Sequence, residues 1–331
     1  MNIITIRNLS FFGAIFTLAV ISIGAWVRLT YAGLGCPDWP GCYGILGIPD
    51  TISELTRAKE LYPHAIIDSG KAWREMLHRY LAGTLGIYVF FISFLTFKYA
   101  KHISVYLPIS LVLLIITQSL LGMFTVTELV KPTIVTMHLL FGMATASLLL
   151  WNGLKVCSNK EIFNKPVNSY ILTCTLVLII QIILGGWTST NYASLACTDF
   201  PKCAQEWWPS DMNFTEGFTI INLPDVNYET HQIDHKSKLA VHFTHRLGAL
   251  ILTFLFIGLF LYLFKIQNSI ILKKIGMVVL IFFIAQVFLG ISNILFSLPI
   301  TIAVMHTVNA CILLMSMITL LFYSTCNEQK W

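Results

Sequence analysis

Eight apolar segments, each long enough to cross a lipid bilayer, constrain this chain more than any other feature of its sequence. A membrane-spanning helix needs roughly 20 consecutive apolar residues. The sequence predicts such helices at residues 9–29, 75–97, 104–126, 133–154, 169–190, 240–264, 274–296 and 300–323. Only 11% of the 331 residues are charged, whereas soluble domains contain about 25%. We therefore expect an all-α integral membrane protein with eight transmembrane helices.

Basic residues concentrate in the short connections on one side of the predicted membrane. They are Arg7, Lys98, Lys101, Lys155, Lys160, Lys165, Lys265, Lys273, Lys274 and Lys330. The two long loops, residues 31–72 and 191–239, lie on the other side and are net acidic. The positive-inside rule then predicts that both termini are cytoplasmic and that the long loops are outside. Because the basic residues form no single patch, the net charge of +5 does not indicate nucleic-acid binding.

Each long outer loop contains one pair of cysteines. Cys36 and Cys42 lie in the first loop, and Cys197 and Cys203 lie in the second, with five residues between the members of each pair. Paired cysteines in an oxidising compartment favour disulfides. We predict the disulfides Cys36–Cys42 and Cys197–Cys203, with free thiols or a metal site as the alternative.

The two halves of the chain are copies of each other. Residues 24–42 align without a gap on residues 185–203, and the segment Gln118–Gly122 matches Gln286–Gly290. Each copy contains four predicted helices, an even number, so both copies cross the membrane in the same sense. We expect two pseudo-symmetric four-helix bundles, residues 1–165 and 166–331, about an axis along the membrane normal.

The repeat places one histidine near the outer end of every second predicted helix. These histidines are His78 and His138 in the first copy, and His245 and His306 in the second. Two imidazoles that face each other inside an apolar bundle suit axial ligation of a haem iron. The alternative is that the histidines only form hydrogen bonds between helices. Four histidines at one depth, in two related pairs, favour haem, but the spacing does not identify which haem.

One difference between the two copies carries chemical information. Glu75 precedes His78 by one helical turn, and His242 takes the corresponding position before His245. A carboxylate beside a haem ligand can transfer a proton or stabilise charge on a substrate. The first bundle is therefore the candidate active site, and the second is the candidate site of a fixed haem that relays electrons. Alternatively, Glu75 is a helix N-terminal carboxylate favoured by the helix dipole. His242 is a candidate partner of the neighbouring ligand.

An arginine directly follows one candidate haem ligand in each copy. Arg79 follows His78, and Arg246 follows His245. Their guanidinium groups can pair with haem propionates or with other anions at the outer leaflet. The sequence leaves both roles open.

With these residues in place, the chain resembles the haem A synthase family, the membrane enzymes that turn haem O into haem A for terminal oxidases. The resemblance runs essentially end to end. It rests on the two four-helix repeats, the Glu-x-x-His-Arg stretch at residues 75–79, the His245–Arg246 pair, His138 and His306. The outer cysteine pairs are similar to those of the bacterial members that carry them.

The resemblance implies oxidation of a porphyrin ring methyl to a formyl group through hydroxylated intermediates. Haem O would bind between His78 and His138, with Glu75 acting at the substrate. Haem b would be the cofactor, held by His245 and His306. The first cysteine pair would lie beside the substrate bundle, where it could be redox-active as well as structural.

The same resemblance implies a bacterial cytoplasmic (inner) membrane, surrounding lipid, and haem O synthase as the partner that supplies the substrate. The electron donor is not identifiable, since the sequence has no flavin, nicotinamide or iron–sulfur signature. Oligomeric state is also open, and a homo-oligomer is one option.

Two other classes of protein compete with this interpretation. A bis-histidine cytochrome that only transfers electrons explains the histidines and the repeat, but not the difference between Glu75 and His242. A transporter also uses parallel repeats. Against a transporter, no predicted span is broken near mid-membrane, and the polar groups lie near the outer face.

Overall fold

The computed structural model describes residues 3–156, 167–221 and 223–326. Within these residues, eight helices are long and apolar enough to cross a membrane. They are α1 (Ile3–Leu29), α3 (Ser69–Tyr99), α4 (Tyr106–Thr127), α5 (Pro132–Val156), α6 (Ser169–Thr190), α8 (His235–Leu261), α9 (Ile270–Leu295) and α10 (Ile300–Ser324). A π-helical turn, Tyr262–Ile266, extends α8, and two short helices, α2 (Ile52–Leu61) and α7 (Phe214–Gly217), lie in the long loops. The all-α membrane fold with eight spans is confirmed.

Two spanning helices extend further into the outer loops than the apolar pattern predicts. α3 begins at Ser69 instead of residue 75, and α8 begins at His235 instead of residue 240. Each start has an aspartate N-cap, Asp68 or Asp234, whose side chain accepts a main-chain N–H of the first turn. Hydropathy marks only the part of a helix that lies in hydrocarbon, so a capped polar turn outside it escapes detection.

Contacts between helices divide the spans into two closed sets of four. α1, α3, α4 and α5 surround one another in the first set, and α6, α8, α9 and α10 do so in the second. Between the sets, α1 contacts α10, α5 contacts α6, and α5 contacts α10. The repeat relates α1 to α6 and α5 to α10, so these contacts fit a pseudo-two-fold arrangement. The predicted boundary between the halves, at residues 165 and 166, lies outside the described residues.

Residues at the outer ends of α1 and α6 join the two bundles. Tyr31 and Tyr192, which the repeat makes equivalent, stack on each other with ring centres 5.5 Å apart. The Arg28 guanidinium lies 4.0 Å from the centre of the Tyr192 ring and donates to the carbonyls of Ser189 and Thr190. Burial raises the pKa of Tyr192 to about 12 although Arg28 opposes this shift, so the phenol stays protonated at neutral pH. At the ends of α1 and α6, the two bundles thus meet through two stacked tyrosines and one arginine.

Candidate functional site

Each of the four histidines packs its imidazole against a glycine on the preceding span. Because glycine has no Cβ, the closeness of the contact is given by the distance from the ring Cε1 atom to the point where a Cβ would lie. The distances are 2.8 Å for His78 and Gly24, 3.4 Å for His138 and Gly122, 3.0 Å for His245 and Gly185, and 3.2 Å for His306 and Gly290. The glycine leaves room for the ring, and a larger residue there would press on it.

The first histidine pair, on α3 and α5, lies ring against ring. The ring centres of His78 and His138 are 6.4 Å apart, with the planes at 84°. Metal–imidazole bonds of about 2.0–2.1 Å on both sides of one metal place the ring centres roughly 6 Å apart. Among the described residues, the buried Nδ1 atoms of both rings have no hydrogen-bond partner. The pair therefore fits axial ligation of one haem iron.

The second histidine pair, on α8 and α10, has side-chain partners. The Gln181 amide nitrogen lies 3.1 Å from His245 Nδ1, and the Gln286 amide nitrogen lies 3.2 Å from His306 Nε2. The Asn309 amide donates to Gln286 Oε1 at 2.7 Å. Two neutral imidazoles in an apolar four-helix bundle are a donor set that suits haem. A neutral imidazole has one acceptor nitrogen, so ligation of an iron by either ring would require its glutamine amide to turn away from the ring.

Glu75 and His242 occupy matching places and accept matching hydrogen bonds. Glu75 Oε2 accepts the main-chain N–H of Cys36 at 2.9 Å, and His242 Nδ1 accepts that of Cys197 at 3.1 Å. Both side chains are buried, each 4% exposed. Glu75 Oε1 also forms an ion pair with Arg79. Each residue thus ties a cysteine loop to its helix, and only Glu75 does so with a carboxylate.

The helix dipole does not account for Glu75. α3 begins at Ser69, so Glu75 lies beyond the first turn of its helix. The stabilisation of an anion by a helix N-terminus falls off within that turn. The immediate partners of the carboxylate are Arg79 and the Cys36 N–H.

Arg79 and Arg246 both bind main-chain carbonyls inside the cysteine loops. Arg79 donates to the carbonyls of Asp38 and Gly41, and Arg246 donates to those of Asp199 and Lys202. The guanidinium groups therefore fasten the loops to α3 and α8. These carbonyl contacts are neither of the two roles that the sequence leaves open, although Arg79 also pairs with an anion, the Glu75 carboxylate.

The two cysteine loops have the same internal structure. Disulfides join Cys36 to Cys42 and Cys197 to Cys203, as the sequence predicts, with Cα atoms 4.8 and 4.7 Å apart. In each loop an aspartate carboxylate accepts two main-chain N–H groups just after the second cysteine. The acceptors and donors are Asp38 with Tyr43 and Gly44, and Asp199 with Ala204 and Gln205. The outer loops are thus folded caps, each placed over the start of a histidine-bearing helix.

Sequence reasoning did not identify the glycines and glutamines of the site. A signal was present, because Gln-x-x-x-Gly occurs at residues 118–122, 181–185 and 286–290. A motif on one helix does not reveal which side chain on another helix it faces. The contacts with the histidines emerge only from the packed bundle.

Comparisons with known proteins show the family of this chain. The family model for COX15-CtaA, cytochrome oxidase assembly protein, matches residues 7–318. A heme A synthase of Shewanella oneidensis is 41% identical over 315 residues, which cover 93% of each chain. A heme A synthase of Neorickettsia sennetsu is 27% identical over 320 residues, covering 90% of this chain and 92% of that protein. This multi-pass membrane enzyme therefore belongs to the COX15-CtaA family of cytochrome oxidase assembly proteins, the family of the heme A synthases.

Proposed function

We propose that this enzyme converts haem O to haem A by oxidising a porphyrin ring methyl to a formyl group through hydroxylated intermediates. Membership of the heme A synthase family supports the proposal. The observation that carries it is the first histidine pair, whose ring centres are 6.4 Å apart in the bundle that also contains the buried Glu75. This arrangement combines a place for a substrate haem with a group that can move a proton.

In this proposal His78 and His138 ligate the iron of the substrate haem, one from each side of the macrocycle. The apolar helices of the first bundle exclude water from the porphyrin and suit a lipophilic substrate. Gly24 and Gly122 leave space for the two rings, so both imidazoles are set in place before haem O enters. The close approach of α1 and α4 at these glycines thereby limits how the two rings can turn.

Glu75 is the proposed catalytic residue of the first bundle. Arg79 and the Cys36 N–H each hold one carboxylate oxygen, so the side chain has a fixed position one turn from His78. A carboxylate oxygen there can accept a proton released during oxidation of the substrate and later return it. The equivalent His242 holds its loop equally well, so loop-holding alone does not require a carboxylate.

The second bundle would hold haem b as the cofactor, with His245 and His306 as its iron ligands. When bound, haem b would supply one-electron transfer to or from the substrate site. The protein's own contribution is to make room for the two rings at Gly185 and Gly290. The identity of the electron donor stays open.

The proposed location is a bacterial cytoplasmic membrane, with both termini on the cytoplasmic side. Eight spans return the chain to its starting side, and basic residues such as Lys98, Lys101 and Lys155 lie on that side. The cysteine loops then face the oxidising side, where disulfides persist. Haem O synthase is the proposed partner, handing over its lipophilic product within the bilayer.

Pigment analysis tests the proposed function. Membranes that co-express this chain with a haem O-producing enzyme are extracted, and the haems are separated and weighed by mass spectrometry. Haem A, or its hydroxymethyl precursor, is expected only when the chain is present and is expected to vanish in His138→Ala. Haem B and haem O alone, with a bis-histidine spectrum on the purified protein, would contradict the proposal and favour the electron-transfer cytochrome.

A further inference from the structure

A segment of the second outer loop lies on the first bundle. We call this segment, residues 225–229, the strap. Asp225 Oδ1 forms an ion pair at 3.1 Å with Nζ of Lys131, the residue just before α5. The main-chain N–H of Tyr228 donates to the Leu129 carbonyl at 3.2 Å. Tyr228 is only 6% exposed, so the strap is packed against the protein.

The last residue of the strap reaches the outer ends of α1 and α3. Glu229 Oε1 lies 3.6 Å from the point where a Cβ on Gly33 would lie. Burial raises the pKa of the Glu229 carboxyl, and the nearby positive charges of Arg28 and Lys71 oppose this shift. Arg28 belongs to α1 and Lys71 to α3. Together with its contacts at the turn between α4 and α5, the strap thus lies beside the outer end of every helix of the first bundle.

The second bundle has no counterpart of the strap within the part of the chain that the structure describes. When the histidines are aligned, Lys131 corresponds to Pro299, which carries no charge. Among the described residues, no hydrogen bond or ion pair joins the first outer loop, residues 31–72, to the turn between α9 and α10. The second outer loop, residues 191–239, is the longer of the two. The strap therefore distinguishes the first bundle from the second.

The two lysines beside the strap have the same relation to the two candidate iron ligands. Lys71 precedes His78 by seven residues, and Lys131 precedes His138 by seven. Seven residues are two helical turns, so each lysine lies on the face of its histidine, about 10 Å outward along the helix axis. The propionates of a haem are carboxylates, and their charge costs less at the outer end of the bundle than in hydrocarbon. A haem held by the two histidines would therefore direct its propionates toward these lysines.

We propose that the strap closes the outer opening of the first bundle, and that its two carboxylates hold the place beside Lys71 and Lys131 where the propionates of the substrate haem bind. This inference rests on the proposed function, which places haem O in the first bundle. Two carboxylates of the strap are exchanged for two carboxylates of the haem, so the exchange balances charge. The Asp225 side chain is 90% exposed, and ion pairs at the surface contribute little to stability, so this end of the strap opens easily.

Titration of the purified protein with haem O, followed by absorbance, tests the inference. Binding to the first bundle is the part of the absorbance change that His138→Ala removes. We expect Asp225→Asn and Glu229→Gln to bind haem O roughly 10-fold more tightly, because each variant removes a competing carboxylate. Lys131→Gln should bind haem O roughly 10-fold more weakly, because it removes a partner of the propionates.

The matched controls neutralise an ion pair elsewhere in the second outer loop. Lys236 and Asp211 form this pair at 3.2 Å, and both side chains are exposed. Asp211→Asn and Lys236→Gln should leave the affinity for haem O as in the wild type. A change in these controls as large as that in the strap variants would mean that the net charge of the loop, and not the strap, sets the affinity, and would overturn the inference.

The sign of the effects separates a removable strap from one that only stabilises the fold. Asp225→Asn and Lys131→Gln break the same ion pair, so a purely structural role would change the affinity in the same direction in both. That result, or unchanged affinity in both, would overturn the inference. A wild-type protein whose binding of haem O is not altered by His138→Ala would instead contradict the proposed function.

Hydrogen–deuterium exchange measures the displacement of the strap directly. The Tyr228 N–H is bonded to the Leu129 carbonyl. We expect the peptide that contains Tyr228 to exchange faster when haem O is bound, because the bound propionates displace the strap. Exchange that stays the same or becomes slower with haem O bound would overturn the inference.

Discussion

At the scale of single residues, the contrast between Glu75 and His242 isolates what a carboxylate adds to the site. Both side chains are buried, and both accept the N–H of the first cysteine in their loop. An imidazole in the second bundle is therefore sufficient to hold a cysteine loop. What Glu75 contributes beyond this is negative charge, the ion pair with Arg79, and an oxygen that can carry a proton.

This contrast makes Glu75→His a sharper test than removal of the side chain. We expect Glu75→His to keep the loop attached, as His242 does, yet to lower haem A formation by about 100-fold or more, the usual worth of general acid–base catalysis. Glu75→Ala should lose activity to a similar extent. Haem extraction measures the product, and the spectrum of the second-bundle haem serves as the folding control. Full activity in Glu75→His would mean that the residue only holds the loop.

The glycine contacts predict a second residue-scale effect. Gly185→Ala places a Cβ 3.0 Å from Cε1 of His245, so we expect the ring to tilt and the purified protein to retain less haem. The matched control is Gly83→Ala in α3, where a Cβ would meet nothing within 4 Å. That substitution should be neutral within about 1 kcal/mol. Haem content per protein, measured by absorbance, compares the two, and equal content would contradict the proposed role of Gly185.

Much of the candidate site at residue scale was predictable, for a specific reason. The internal repeat identified four histidines as candidate ligands, because chance rarely repeats a histidine at one depth in every second span. They are His78, His138, His245 and His306. Repetition also exposed the exchange of Glu75 for His242. The glycines and glutamines were not predictable, since their importance depends on which helix faces which, and apolar helices carry no such directional mark.

At the scale of elements, each cysteine loop packs against the histidine-bearing helix that follows it, α3 in the first bundle and α8 in the second. Gly35 makes this approach possible in the first loop, because a Cβ there would lie 2.6 Å from the main-chain carbon of Lys71 and 2.8 Å from the Ala72 nitrogen. The equivalent residue in the second loop is Ala196, so only the first loop approaches its helix this closely at this position. This close seat brings the Cys36 N–H to Glu75.

Gly35→Ala should therefore lift the first loop from α3. Overpacking against rigid backbone costs about 1–3 kcal/mol, and we expect lower thermal stability together with loss of haem A formation. Ala196→Gly is the matched control and should retain both properties. Thermal unfolding of the purified proteins and haem extraction measure the two effects. A Gly35→Ala variant with wild-type activity would show that the seating of the loop is irrelevant to catalysis.

The elements themselves were only partly predictable. The length of the apolar segments was enough to predict the eight spans, because the hydrocarbon thickness sets how many residues a spanning helix needs. The outer turns of α3 and α8 and the short helix α2 lie outside that constraint. α2 did carry a readable signal, the capping box formed by Thr51 and Glu54.

At the scale of the whole molecule, the two bundles meet in a seam where Arg28 reaches across to α6. Arg28 satisfies the carbonyls of Ser189 and Thr190 and lies on the Tyr192 ring. Arg28→Met would remove the charged donor from both carbonyls, of which Ser189 O keeps the main-chain N–H of Tyr192. Loss of a hydrogen bond from a charged group typically costs about 1.5–3 kcal/mol. We expect a lower apparent Tm in detergent, compared with Arg57→Met on the exposed helix α2 as the control. Equal Tm values in the two variants would mean that the seam contributes little to stability.

The two-bundle architecture was predictable from the internal repeat, because two copies with the same orientation must be related by rotation about the membrane normal. The pairing across the seam was not predictable. The contacts of α1 with α10 and of α5 with α6 depend on side-chain packing at helix surfaces that are mostly apolar. The stacking of Tyr31 on Tyr192 brings equivalent residues of the two copies into direct contact.

The central proposal is that the first bundle binds the substrate haem and the second bundle holds a resident haem. Comparison of His138→Ala with His306→Ala tests it most directly, by electron paramagnetic resonance of the purified proteins and haem extraction from the same membranes. We expect that His138→Ala keeps the resident low-spin signal but makes no haem A, and that His306→Ala loses that signal. Loss of the resident signal in His138→Ala, with its retention in His306→Ala, would contradict the assignment of the two bundles.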